Sequence, residues 1–444
     1  MTPDRCDPSS MSTAICCLKF EHQKEFVSTV ARYCDSSVAT GTGMPKRDKL
    51  IFITLFFSIF STITGVGIVV PLLPVYARNL GAGGLYIGLI FGAFSLSRVF
   101  FLPYFGRLSD RKGRKVLIVT GLLAYTIVSV AFLLSDTIGS LILIRLVQGV
   151  ASAMLMPVIQ AYVGDITPPG REGFTMGLFN MSVFFGLSIG PVLGGLINDR
   201  FSLDAAFWGM GGLSLIGFLL SLVFLPPVRS ERVFRRGKQP AGWKQLVRNR
   251  EIAGLFFFRF AYTACIGIIW GFLPVLATAE LALSSTTIGF LVMLGIFVSG
   301  IIQLPMGHVA DHLNKKVMVI FGGLLVSGAI LSYVWADSVS EMVLASIMFG
   351  VGGGICMPAL MATAVLIGDK TGAMGSVMAL LTVAHSMGIL AGSMLAGLMM
   401  DLFRLRAAFP LGTALMLVGI AAFAFATRFR QVPPTSSVPG HAAG

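Results

Sequence analysis

Apolar residues run along this chain in long unbroken stretches, and charged residues are confined to short intervals between them. A stretch of roughly 18 or more such residues is long enough to cross a bilayer as a helix, the one open-ended structure that satisfies all its own backbone polar groups. Reading the runs between charged or Pro/Gly punctuation predicts twelve spans. The first six lie at about 50–77, 85–107, 115–135, 138–163, 171–197 and 205–225. The second six lie at about 252–278, 285–307, 316–336, 340–367, 372–399 and 407–427. The expected fold is therefore all-α and polytopic. It has an N-terminal tail (1–49), a six-helix bundle (50–225), a central loop (226–251), a second six-helix bundle (252–427) and a C-terminal tail (428–444).

The cations then sort by side. Arg78, Arg200, Arg404 and Arg406 are few and fall in one set of loops. The other set carries Lys46, Arg47 and Lys49, the cluster Arg107 to Lys115, the run from Arg229 to Arg250, then Lys315, Lys316, Arg428 and Arg430. By the positive-inside rule this side is cytoplasmic, and with it both termini, as an even span count requires. The expectation is a multi-pass protein of the cytoplasmic (inner) membrane, acting as a monomer in the lipid bilayer. A net charge of +13 would suggest nucleic acid in a soluble chain, but here 55% of residues are hydrophobic and only 12% charged. The cations flank spans and fix topology, so no nucleic-acid partner is implied.

The six cysteines make no CxxC or Cys/His spacing, so neither a disulfide framework nor a metal site is expected. Cys6, Cys16, Cys17 and Cys34 fall in the tail, and Cys265 and Cys356 in apolar spans. Residues 1–49 hold no apolar signal-peptide core, and Met44 opens "MPKRDKLIFITLFF" like a natural start, so residues 1–43 read as an over-extended gene start.

The chain also repeats itself. "LFFSIFSTITGVGIVVPLLPVYA" (55–77) lies over "LFFFRFAYTACIGIIWGFLPVLA" (255–277), and "DRFSLDAAF" (199–207) over "DLFRLRAAF" (401–409). Gly106 and Asp110 lie over Gly307 and Asp311, and Pro157 over Pro358. Two such halves in one orientation predict a pseudo-two-fold axis along the membrane normal. Transporters use this plan to hold a small-molecule substrate between the halves near the midplane.

"GRLSDRKGRK" (106–115) and its weaker copy "GHVADHLNKK" (307–316) resemble the paired loop motif of the major facilitator superfamily, and the resemblance covers about 45–430. Arg145, Gln148 and Gly149 in "LIRLVQGVASA" resemble that family's motif in span 4. "GLSIGPVLGG" (186–195) resembles the span 5 motif of its antiporters, and "GVGIVVPLLP" (65–74) a span 1 motif of its twelve-span drug:proton antiporters. In the loop motif, Gly106 removes a side chain where span 2 is expected to end, and Gly113 permits a tight turn. Most of the cations read as a headgroup anchor. The resemblance implies that Asp110 and Arg114 join Asp165, the acid ending span 4, in a charge network that holds the halves together. Asp110 is also expected near the N-terminus of span 11, at Thr371.

Gly186, Gly190 and Gly194 share one face of span 5, bent by Pro191, and span 11 repeats the pattern with Gly388, Gly392 and Ala396. Plain packing accounts for such a stripe. The functional reading makes it the sliding seam between the halves.

Ionisable groups inside spans are costly and usually functional. The sequence has four: Arg98, Arg145, Arg259 and His385. The resemblance makes Arg145 a proton-transfer candidate, and a brace to backbone carbonyls is the alternative. Arg98 and Arg259 either line a cavity or snorkel to the cytoplasmic headgroups. His385 either titrates or is a bonded neutral ring. Asp110 and His385 join Arg145 as proton-coupling candidates. No Asp or Glu lies mid-span; where some drug antiporters of the family carry an acid in span 1, this chain has Ser58, Ser61, Thr62 and Thr64. Tyr125, Tyr262 and Trp270, with Phe184 and Met293, are candidates for a mostly apolar cavity wall.

No GxxxxGK[ST] appears, so neither nucleotide nor any other cofactor is implied, and no catalytic constellation is visible. The expected function is proton-coupled efflux of small amphipathic molecules by alternating access, with protons as the second partner. An importer or symporter of a sugar, organic acid or chelate on the same fold, or a membrane sensor that does not transport, are the alternatives.

Overall fold

The computed structural model describes residues 45–167, 172–226, 249–371 and 374–427. Side chains at 106–107, 110–112, 172–174, 176–177, 304, 311–312, 369–371 and 374–376 are outside that description. The central loop and both tails, with their cations and four of the cysteines, also lie outside the described residues.

Twelve helices are long and apolar enough to cross a membrane. Span 1 is Lys46–Val69 continued by Leu72–Asn79. The break falls at Pro71, which cannot donate a backbone hydrogen bond. Spans 2 to 6 are Gly84–Lys112, Arg114–Leu133, Ile138–Ile166, Glu172–Arg200 and Leu203–Phe224. Spans 7 to 11 are Arg250–Leu281, Ser285–His312, Lys315–Ser332, Val339–Thr371 and Met374–Leu402. Span 12 is Ala408–Thr427, entered by a short 3-10 turn at Leu405–Ala407. Below, the membrane face where span 1 begins is the near face, and the opposite one is the far face.

Several helices run past the apolar stretch. Span 2 continues through the charged motif to Lys112, so Gly106 lies inside the helix and not at its end. Arg, Lys, Asp and Leu tolerate helix once the chain has left the bilayer. The helix stops at Gly113, whose φ of 89° puts it in the left-handed region that a side chain resists, as the tight turn into span 3 requires.

Each bundle packs the same way. Span 1 lies against spans 5 and 6, span 2 against 4, and span 3 against 4 and 6. In the second half span 7 lies against 11 and 12, span 8 against 10, and span 9 against 10 and 12. The halves meet chiefly where span 2 packs on span 11 and span 5 on span 8. The hydroxyls of span 1 serve the first bundle. Ser61 donates to the carbonyl of Leu213 at 2.5 Å, and Ser58 accepts from Ser221 at 2.9 Å. Thr62 and Thr64 donate to carbonyls one turn back. On the far face of the second bundle Arg406 donates to Glu280 and Asp337, each at 2.7 Å, and to the carbonyl of Val334 at 2.8 Å. One guanidinium thus ties together the end of span 7, the 9–10 loop and the start of span 12.

The glycine stripe does not form the seam between halves. A Cβ on Gly186 would meet Ile63 and the Phe60 carbonyl, on Gly190 the Thr64 carbonyl and Gly67, and on Gly194 the backbone of Ile68. All of these belong to span 1 of the same bundle. In span 11, Gly388 faces Phe260 and Thr263, and Gly392 faces Ala264, again within one bundle. The expectation of a sliding seam is corrected: the stripe locks span 5 to span 1 and span 11 to span 7. Pro191 divides its contacts, since its ring faces Gly67 while its carbonyl abuts Gly289 of span 8.

Candidate functional site

Arg145 is buried at 6% exposure, and its bonds explain how. Nε donates to the carbonyl of Ile90 at 3.1 Å, and one terminal nitrogen donates to the Gln148 side chain at 2.7 Å. The guanidinium carbon stands 4.8 Å from the Phe94 ring centre and 5.2 Å from that of Phe91. A Cβ on Gly149 would collide with the Phe94 carbonyl and Ser97. The Arg-x-x-Gln-Gly pattern therefore docks span 4 on span 2: glycine allows the approach, and arginine holds a carbonyl across it. The geometry is that of a brace.

Arg259 and His385 are paired in the second bundle, and Arg98 of the first lies within electrostatic reach of the pair. Arg259 of span 7 reaches the sulfur of Met357 at 2.7 Å and Nδ1 of His385, on span 11, at 3.3 Å. His385 also lies within electrostatic reach of Arg98, on span 2 of the other half. The Nε atoms of Arg98 and Arg259 are both buried without a hydrogen-bond partner among the described residues. Arg259 is turned toward span 11 by its contact with His385. No carboxylate offsets the cluster, because the chain has none mid-span.

Two tyrosines lie near these cations, and two further aromatic candidates lie elsewhere along the bundles. Tyr125, 3% exposed, lies within reach of both Arg98 and Arg145. Tyr262, one turn from Arg259, stacks on Phe349 with ring centres 5.9 Å apart. Trp270 is half-buried against the core. Phe184 of span 5 stacks on Phe297 of span 8 at 6.5 Å across the boundary.

The near-face motif is partly described. Arg114, 4% exposed, pairs with Asp165 through Nε at 2.5 Å and a second nitrogen at 3.2 Å. Both residues belong to the first bundle, so this bidentate pair ties span 3 to span 4 and cannot itself hold the halves together. The side chains of Asp110 and Thr371 lie outside the described residues, as does Gly106 apart from its backbone.

Two acids that the sequence showed only as markers of the repeat bridge the halves on the far face. Asp199, at the end of span 5, accepts from the backbone N–H groups of Ser285 and Thr286 at 3.0 and 2.7 Å. Asp401, at the end of span 11, accepts from those of Gly84 and Leu85 at 2.6 and 2.8 Å. The signal was present as an acid aligned in both repeats, immediately before a far-face loop.

Two six-helix bundles related by pseudo-symmetry, with ionisable groups gathered between them, define a membrane transporter and not an enzyme. The chain belongs to the Major Facilitator Superfamily, whose profile matches residues 55–275 and again 255–443. It is 27% identical over 368 residues to an uncharacterized MFS-type transporter of Methanocaldococcus jannaschii, covering 81% of this chain and 93% of that one. It is 32% identical over 178 residues to the quinolone resistance protein NorA of Staphylococcus aureus, spanning 40% of this chain and 45% of that protein. Among solved structures it shares its fold with the human organic anion transporter MFSD10, at 19% identity and a TM-score of 0.61 over 85% of this chain and 99% of that one. A bacterial homolog of the lysosomal transporter Spinster, inward-facing and unoccupied, matches at 14% identity and a TM-score of 0.70, over 87% and 97%.

Proposed function

We propose that this transporter is a proton-coupled exporter of small amphipathic molecules, anionic or neutral, working as a monomer by alternating access in the cytoplasmic membrane with its near face inward. The observation that carries the substrate class is Arg259 beside His385, with Arg98 of the other half within electrostatic reach, in a chain without a mid-span acid. Cations in a low-dielectric space without a counter-charge attract anions and repel cations, more strongly as water is excluded. The aromatic side chains of Tyr125, Tyr262 and Trp270 would take the apolar part of the substrate. Export is supported by the antiporter-like motif of span 5 and by the partial similarity to a quinolone resistance protein.

His385 is the favoured proton carrier. It is the only mid-span group whose ordinary titration lies near neutral pH, and Arg145 is committed to its brace. On the near face, Asp110 completes the proposed latch against the second half, with the Arg114–Asp165 pair as its fixed base.

Arg259→Gln tests the substrate class. Its equivalent in the first half is the apolar Ile59, so the repeat itself requires no charge there. The substitution is expected to weaken binding of an anionic amphipathic dye about tenfold, the worth of a hydrogen bond to a charged group, and that of a neutral analogue much less. Equal effects on both, in a protein that also exports quaternary ammonium dyes well, would refute the cavity-charge reading.

A further inference from the structure

The bonds of Asp199 and Asp401 form one device built twice. Each carboxylate ends a helix of one bundle and receives the first two N–H groups of a helix in the other: Asp199 on span 8, Asp401 on span 2. These N–H groups have no partner within their own helix, and they carry the positive end of its dipole. A carboxylate placed there makes charge-assisted hydrogen bonds. Asn198 adds a side-chain bond to Ser285 at 2.8 Å on one seam.

Below each carboxylate the two helices touch backbone to backbone, and the contacts are again paired. A Cβ on Gly195 would strike the Ser285 carbonyl, and one on Gly397 the Gly84 carbonyl. A Cβ on Gly289 would strike the Pro191 carbonyl, and one on Gly88 the Ser393 carbonyl. Ser393 also donates to the carbonyl of Gly88 at 3.1 Å. These four glycines, and not those of the stripe, make the seam between the halves. With them removed as obstacles, both helix pairs approach closely enough at the far face for the acids to reach across.

We propose that Asp199 and Asp401 are the paired positioning residues of the far-face gate: each clamps the N-terminus of a helix from the opposite bundle, and together they hold the two seams shut while the near face is open. A binding role for either acid is not part of this assignment, because both are satisfied by backbone of the same chain. The inference rests on the transporter reading only in requiring that the bundles part at the far face during the cycle. Its test therefore reads that parting directly, with neither substrate nor proton gradient.

Spin labels at Asp136→Cys, exposed in the far-face 3–4 loop, and Ser340→Cys, exposed in the first turn of span 10 on the same face, report the distance between the bundles. The tail cysteines are replaced by serine, while Cys265 and Cys356 are buried and stay. In the full-length protein in lipid nanodiscs, a short distance is expected to dominate. Asp199→Asn and Asp401→Asn, which keep shape but remove charge, should each shift the ratio of closed to open far face by roughly tenfold toward open, and the double variant further. Asp401→Glu, which keeps the charge, should stay closer to the parent than Asp401→Asn. The single variants keep the test decisive should the double one fail to fold. An unchanged distance distribution in well-folded Asn variants would overturn the assignment. So would a parent protein already separated at the far face, or a Glu variant as open as the Asn variant.

Discussion

Gly190→Leu is expected to leave almost no folded protein in the membrane, and Gly190→Ala to fold with reduced stability. The backbone explains both. A Cβ at 190 would lie 2.7 Å from the Cα of Gly67, and a Cβ at 67 would lie 3.0 Å from the Cα of Gly190. Two main chains are in contact, and neither has a flexible end to give way. Overpacking by a single methyl costs about 1–3 kcal/mol, and an isobutyl group would force spans 1 and 5 apart along the whole bundle. Thermal unfolding of the purified variants measures this. Since the contact lies within one bundle, Gly190→Ala should lower the melting temperature without opening either membrane face. An alanine variant with parental stability and an altered balance of open states would return Gly190 to the boundary between the halves.

Asp165→Asn has the second largest expected effect. Arg114 is nearly buried and makes two contacts with that carboxylate. Removing one charge of a buried pair leaves the other without its compensation, at a cost of about 3–5 kcal/mol when both are enclosed. The side chain of Asp165 is 29% exposed, so solvent screens part of this, and about 2 kcal/mol is expected. The double variant Arg114→Met/Asp165→Leu should recover most of the loss, because two apolar side chains replace a pair whose desolvation is no longer required. Denaturant unfolding of the three proteins in one detergent gives the comparison. A double variant as unstable as Asp165→Asn would show that the arginine is needed for contacts beyond this pair.

The fold was legible because a bilayer leaves a chain little choice. A run such as 138–163 has only one way to hide its backbone, and the repeat of 55–77 at 255–277 carries the second bundle with it. Helix ends were less so. Gly106 looked like a terminus because apolar residues stop there, yet charged residues extend the helix to Lys112. The rotation of each helix was not legible at all. Small residues at 186, 190 and 194 announce a close neighbour but not which one, and it proved to be span 1. The four mid-span ionisable groups were found from their cost alone. That Arg259 meets His385, with Arg98 within electrostatic reach, while Arg145 is held by Ile90 and Gln148 depends on tertiary packing. Asp199 and Asp401 were visible as aligned letters, but their partners are backbone N–H groups in the opposite half, which no side-chain pattern reveals.

Substrate-triggered proton movement in proteoliposomes, screened over anionic, neutral and cationic amphipathic compounds, tests the central claim most directly. With the near face toward the substrate, anionic and neutral compounds are expected to leave their side of the membrane while protons cross the opposite way. Lipophilic cations should elicit little flux, and His385→Ala should abolish the proton signal with the protein still folded. Transport of any of these compounds without proton movement, or a proton signal driven best by lipophilic cations, would contradict the account.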